Sequence, residues 1–415
     1  MNTIALIILA TIIFDYALNG VADYLNLTRL RDDLPESFRG IYDPDRYRKS
    51  QRYLKANTRF GWITATFDVS VILIFWFAKG FPLLDEWVRS FAFGPIITGL
   101  IYMAVLLLIK GLLSLPFSIY VTFVIEERFG FNQTTWQTFV MDLVKGLLLS
   151  VLLGAPLLAG ILAFFVYAGT NAWWYCWVAV TLYILGVQFI APTWIMPLFN
   201  KFTPLESGEL KSAILSYAGS INFPIENVYV MDGSRRSSKS NAFFTGFGKH
   251  RRIVLFDTLI KRHTTGELLA VLAHEMGHYK KKHIFQTMVL GFLQMGIMLY
   301  LLSIFISYQG LFDAFYMPQQ SVYAGLIFFT MLYSPLSFFI GIFTQMLSRK
   351  NETEADRFSA ETTHDPQSMV AALKKLSVHN LTNLMPHPLY VFLNYSHPPV
   401  LQRINALQGQ LAVPD

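Results

Sequence analysis

Between Gly146 and Asn200 the chain carries no charged residue. A bilayer span needs about 20 mostly apolar residues, so this stretch holds two, with a turn near Gly169-Thr-Asn171. Similar runs recur on both sides. Residues 2–22 form one despite Asp15, Phe60 to Ala78 a second broken only by Asp68, and Ser90 to Ile109 a third that Lys110 and a Leu-rich turn extend. Ile284 to Tyr308 and about Ser321 to Met346 supply the sixth and seventh. Only 14% of residues are charged, against about 25% in soluble domains. The sequence therefore predicts an all-α dominated membrane protein with seven transmembrane helices, its first span too poor in N-terminal basic residues and small-residue cleavage signals to read as a removable leader.

The polar remainder divides the chain into four parts. Residues 1–200 carry five spans, 201–283 are polar and mixed, 284–346 hold spans six and seven, and 347–415 form a polar C-terminal segment. Seven spans put the termini on opposite sides. Basic residues gather in the loop Leu25 to Arg59, which includes Arg46-Tyr-Arg-Lys49, in 201–283 and in the C-terminal segment, all on one side. The short loops near 80–89, 168–172 and 309–320 carry very little positive charge. The Lys/Arg bias thus puts the segment 201–283 in the cytoplasm and the N-terminus outside. Asp15, Asp68, Lys110, Asp142 and Lys145 are expensive in lipid and are expected to face an interior cavity, as paired structural groups or as the lining of a water-filled space.

Within 201–283, Gly208 to Ser220 reads as a helix, and Val228 to Met231, Asn241 to Phe247 and Ile253 to Asp257 as short strands, with Lys249-His-Arg-Arg252 among the turns. The edge of such a sheet can pair with an extended substrate backbone. A further helix follows. Thr264-Thr-Gly-Glu267 has capping-box spacing, and Leu268, Leu269, Leu272 and Ala273 supply its apolar stripe. This helix carries His274-Glu-Met-Gly-His278, an H-E-x-x-H pattern. Histidines four apart stand one turn apart on one helix face and can grip one metal ion, with Glu275 beside it as general base for a bound water. The competing reading is a surface helix that happens to carry two histidines.

A catalytic zinc typically keeps three protein ligands and one open position. The single cysteine, Cys176, lies in an apolar run, so the third ligand must be a histidine or a carboxylate. Glu352-Thr-Glu-Ala-Asp356 follows span seven, and Glu352 and Asp356 share a helix face. Glu352 could reach the metal, and Asp356 could accept an N–H from a ligating imidazole and fix its tautomer. The alternative is a solvated charged helix, which Arg349, Lys350 and Glu354 favour. His397-Pro-Pro399 reads either as a turn or, with Arg403 nearby, as a donor to a developing oxyanion. His283, five residues after His278, points off the ligand face of a continuous helix and reads as a helix end at the membrane surface, not a ligand.

Taken together, Asn241-Ala-Phe-Phe, Ile253-Val-Leu-Phe-Asp-Thr258, His274-Glu-Met-Gly-His278, Ser348-Arg349 with Glu352-x-x-Ala-Asp356, and His397-Pro with Arg403 resemble the type I CAAX prenyl endopeptidases, integral-membrane zinc proteases of the gluzincin type. Pro197-Leu-Phe-Asn-Lys-Phe-Thr-Pro204 and the aromatic-basic stretch around Tyr42 to Tyr53 are similar too. The resemblance implies seven helices around an intramembrane chamber with a small α+β metallopeptidase domain. It implies one zinc ion on His274, His278 and Glu352, with Glu275 as base and Asp356 as supporting acid. Asn241 and Ala242 would lie on the strand that pairs with substrate, and His397 and Arg403 would contact substrate or the oxyanion.

The expected partners are a peptide or protein substrate, farnesylated in that family, and the lipid bilayer, with no nucleic acid. The length, the compact connection between spans six and seven and the lack of a C-terminal retrieval signal lead to the expectation of a prokaryotic homologue in a bacterial inner membrane rather than the endoplasmic reticulum. Two other functions fit parts of the pattern. One is a membrane-protein quality-control zinc protease of broad specificity. The other is a non-enzymatic metal-binding transporter, which would have no use for Glu275 and would often show internal repeats; none is evident.

Overall fold

The structure, a computed structural model, describes residues 1–31, 33–223, 225, 228–245 and 252–411. Among the described residues, seven helices are long and apolar enough to cross a membrane: Thr3–Thr28, Pro44–Phe77, Pro95–Glu126, Trp136–Tyr167, Gly169–Phe199, His283–Phe305 and Val322–Thr363. Lipid offers no partner for backbone polar groups, and a helix satisfies them within itself. Several helices outrun the apolar runs that announce them. The expected loop from Leu25 to Arg59 is mostly helical, because Asp43 caps the Arg46 N–H and Pro44 opens the second span's helix at its first turn. The seventh helix likewise passes the expected boundary at 346/347 without a break and ends at Thr363.

The segment near 80–89, expected as a loop, is the helix Gly80–Arg89. Phe81, Asp85 and Val88 are buried along one face at helical spacing. Asp85 accepts from the Arg89 guanidinium at 2.7 Å and from the Tyr323 hydroxyl. These residues join Trp76, Tyr102, Phe312, Phe315 and Phe328 in the main apolar cluster. Phe328 and Glu352 sit on the same helix, 24 residues and hence about 36 Å apart. The aromatic cluster therefore closes one end of the molecule, and the polar domain occupies the other.

Between those ends the spans do not fill their interior. A cavity of about 1380 Å³ opens among the first, second and seventh spans, lined by Asp15, Tyr16, Trp62, Asp68 and Ser334 among others. Of the intramembrane charges, Asp15 and Asp68 line it, and Asp15 accepts from the Asn19 side-chain amide at 3.1 Å. Lys110 meets Asp68 at 2.5 Å, Arg236 holds both carboxylate oxygens of Asp142 at 2.7 and 2.8 Å, and Lys145 donates to the Leu198 carbonyl.

The polar domain holds a four-stranded sheet of β1 (Phe202–Pro204), β2 (Val228–Met231), β3 (Ala242–Thr245) and β4 (Arg252–Phe256) in the order β1-β2-β4-β3. β2 and β4 run parallel, and the outer strands are antiparallel to their neighbours. The described part of the expected strand Asn241 to Phe247 is β3, an edge strand; Gly246, Phe247 and residues 249–251 of the expected turn lie outside the described residues. The H-E-x-x-H helix, Thr265–Lys280, packs Leu268, Leu272, Ala273 and Met276 against the sheet side, with Val228, Ile253 and Leu255 in the same cluster.

Candidate metal centre

The capping box at the start of Thr265–Lys280 forms in full: Thr264 accepts from the Glu267 N–H, and Glu267 accepts from the Thr264 N–H at 3.0 Å. Glu267 is further tied to Lys375 at 2.7 Å. Three turns on, the helix meets the seventh span at Gly277. A Cβ at that position would stand 3.1 Å from Phe358 Cδ1 and 3.3 Å from Ala355 Cα, so glycine accommodates a close approach that any side chain would have to widen by a few tenths of an ångström. Ser359 adds a buried hydrogen bond to the Ala270 carbonyl at 2.7 Å. The glycine inside H-E-x-x-H is thus what lets Glu352 and Asp356 reach the histidines.

His274, His278 and Glu352 converge at that crossing. The two Nε2 atoms are 3.2 Å apart, His278 Nε2 is 3.2 Å from Glu352 Oε1, and His274 Nε2 is 3.3 Å from Glu352 Oε2. Tetrahedral ligands at metal–ligand distances of about 2.05 Å lie about 3.3 Å from one another, close to the spacing of the two Nε2 atoms and of each of them from one oxygen of Glu352, with the two imidazoles facing different oxygens of that carboxylate. Glu352 Oε2 is also buried and makes no hydrogen bond of good geometry, its cationic neighbours being His274 Nε2 at 3.3 Å and Arg403 Nη2 at 3.8 Å, an oxygen that a bound cation would complete. The donor set fits a small divalent metal ion.

Behind the ligands, His274 Nδ1 lies 2.8 Å from Asp356 Oδ1, with both side chains buried. Burial opposes charging His274, but the carboxylates of Asp356 and Glu352 outweigh it and hold the imidazole pKa up at about 9. Arg403, read in the sequence as a substrate or oxyanion contact, is committed elsewhere. Its Nε and Nη2 donate to the two oxygens of Asp356 at 2.7 and 2.6 Å, and Nη2 stands 3.8 Å from Glu352. It braces the support of His274. Burial is also the chief force raising the Glu275 carboxyl pKa above its ordinary value, which suits a group that must hold a proton part of the time.

On the open side, His397 Nε2 lies 3.2 Å from Glu352 Oε1 with its side chain 59% exposed. Its loop is pinned by Arg349, which donates to the Tyr395 and Val391 carbonyls. Asn241 is exposed beside buried Ala242 at the start of β3, and its own side chain accepts from the Ala242 N–H. A cavity of about 590 Å³ lined by Ile184, Met288, Phe292 and Met295 reaches His278. His283 proves to be more than a helix end: it is buried directly behind His278.

Two helices that carry a His/His/Glu metal triad, with a glutamate beside it, at one end of a seven-helix membrane chamber define an integral-membrane metallopeptidase. Comparison with known proteins agrees. The family model described as CAAX prenyl protease N-terminal, five membrane helices, matches residues 23–201, and that of Peptidase family M48 matches residues 204–411. The chain is 36% identical to a probable CAAX prenyl protease 1 of Schizosaccharomyces pombe, covering 91% of this chain and 82% of that one. It is 35% identical to a CAAX prenyl protease 1 homolog of Arabidopsis thaliana over 95% of each. The crystal structure of S. mikatae Ste24p superposes with a TM-score of 0.90 at 32% identity, covering 98% of this chain and 99% of that one. The chain belongs to peptidase family M48, among its CAAX prenyl protease members.

Proposed function

We propose that the metal is a single zinc ion and that the enzyme hydrolyses peptide bonds near the C-terminus of prenylated substrates, with the site facing the cytoplasm. The observation that carries the reading is the convergence of His274, His278 and Glu352, with the two Nε2 atoms 3.2 Å apart and each 3.2–3.3 Å from a Glu352 oxygen, spacings suited to a tetrahedral zinc. Zinc held by His274, His278 and Glu352 would supply a Lewis acid that polarises the scissile carbonyl and lowers the pKa of water toward ~7. Glu275 takes the water proton and returns it to the leaving amine. His397, exposed on the open side, donates to the carbonyl oxygen as it gains negative charge, a role worth roughly 3 kcal/mol per donor in other enzymes. Asp356 and Arg403 hold His274 in the tautomer that presents Nε2.

Substrate would lie along the free edge of β3 at Asn241 and Ala242, adding a strand to the sheet. The Met- and Phe-lined cavity beside His278 supports an isoprenoid chain as the neighbouring apolar group. The names of the relatives and the Lys/Arg distribution support the substrate class and the orientation respectively. The test is cleavage of a quenched peptide ending in a farnesylated CAAX sequence against its unprenylated twin. Preferential cleavage of the farnesylated peptide is expected. Equal cleavage of both would transfer the reading to a broad membrane protease that clears damaged proteins.

A further inference from the structure

The two metal-binding histidines are backed differently, and the backing of His278 is assigned by none of the motifs above. His283 is the first residue of the sixth span's helix, and its side chain is 5% exposed. On a continuous helix five residues past His278 it would point away. The chain breaks first: the H-E-x-x-H helix ends at Lys280, and Lys282 adopts φ 62°, in the left-handed region. This turn folds His283 back, so that its Nδ1 lies 3.1 Å from His278 Nδ1, while its Nε2 lies 3.2 Å from Glu354 Oε2.

The proton positions follow from the geometry. His278 Nε2 is the atom aimed at Glu352 and His274, so as a ligand it carries no proton and Nδ1 does. That N–H must donate, and the atom facing it is His283 Nδ1, which therefore accepts. Neutral His283 then has its proton on Nε2, where Glu354 stands to receive it. We propose that His283 is a positioning residue for the metal centre, linking Glu354 through His278 to the bound ion in a carboxylate–imidazole–imidazole chain. Such partners fix the ring orientation and raise the basicity of a ligating imidazole, and their loss typically costs 10–100-fold in metal affinity. The second imidazole lets a carboxylate 41% exposed at the domain surface act on a half-buried ligand without placing a second anion against Glu352.

The inference rests on the metallopeptidase reading only for the presence of the metal. Its test is zinc affinity, by competition with a chromophoric chelator, in the wild type, His283→Leu, His283→Asn and Glu354→Gln. Leucine keeps the bulk and removes the acceptor; the asparagine Oδ1 can occupy the place of Nδ1. We expect His283→Leu to weaken zinc binding 10–100-fold, His283→Asn to recover most of that, and Glu354→Gln to cost less than His283→Leu. The metal-free melting temperatures of His283→Leu and His283→Asn should match. Wild-type zinc affinity in His283→Leu, or an asparagine variant no better than the leucine one, would overturn the chain. Tight zinc with no peptide cleavage in the wild type would instead sink the proposed function and leave His283's role standing.

Discussion

The Gly277 crossing sets how far Glu352 stands from the two histidines, and one methyl group tests it. In Gly277→Ala the new Cβ meets Phe358 Cδ1 at 3.1 Å and Ala355 Cα at 3.3 Å. Ordinary carbon contacts lie at about 3.5–4.0 Å, so Phe358 and the Ala355 backbone must give by a few tenths of an ångström. The ligand edges of 3.2–3.3 Å would then open toward the limit that a tetrahedral ion can bridge. Overpacking of this kind costs about 1–3 kcal/mol, while replacing a helical glycine by alanine returns roughly 1 kcal/mol of intrinsic propensity. The net destabilisation is therefore about 0–2 kcal/mol, and the strain is concentrated at the site. We expect zinc affinity and kcat/KM each to fall about tenfold, since 1.4 kcal/mol of misplacement corresponds to that factor, and Gly277→Val to do worse. The assay pairs chelator competition with peptide cleavage and a thermal melt. A Gly277→Ala enzyme with unchanged zinc affinity and turnover would refute the idea that this close approach sets the ligand spacing.

Two further outcomes follow from the supports of His274. Because the imidazole pKa is held at about 9 in the metal-free site, zinc must displace a proton at neutral pH. The apparent zinc dissociation constant should tighten by up to tenfold per pH unit between pH 6 and 8, and a flat profile would contradict the raised value. Arg403→Met strips the buried Asp356 of both guanidinium donors and should destabilise by roughly 3 kcal/mol or more, as uncompensated buried charges do. Adding Asp356→Asn should restore much of that, read as a positive coupling in a double-mutant cycle of denaturant melts; simple additivity would mean that the pair does not act as a unit.

Much of this molecule is written locally. The length of each apolar run, the Thr264/Glu267 cap and the i, i+4 histidines are all short-range signals, and each reappears in the fold. Hydropathy, however, marks where lipid ends and not where a helix ends. That is why the seventh helix continuing to Thr363 and the second starting at Pro44 exceed the runs that announce them, although Asp43-Pro44 was a legible start signal. The role of His283 was hidden for a different reason: periodicity assumes an unbroken helix, and the left-handed Lys282 invalidates the count. The run Lys280-Lys-Lys282 is the one local hint of a helix end there. Arg403 was legible as part of the site but not as the partner of Asp356, because that pairing joins helices 47 residues apart in the chain.

The central claim, that His274, His278 and Glu352 hold a metal whose water Glu275 activates, is tested most directly by one comparison. Zinc content and peptide cleavage should be measured on the same preparations of the wild type and Glu275→Gln. The account predicts one zinc per chain in both and cleavage only in the wild type. A Glu275→Gln protein that still turns over at the wild-type rate, or one that has lost its zinc, would contradict it.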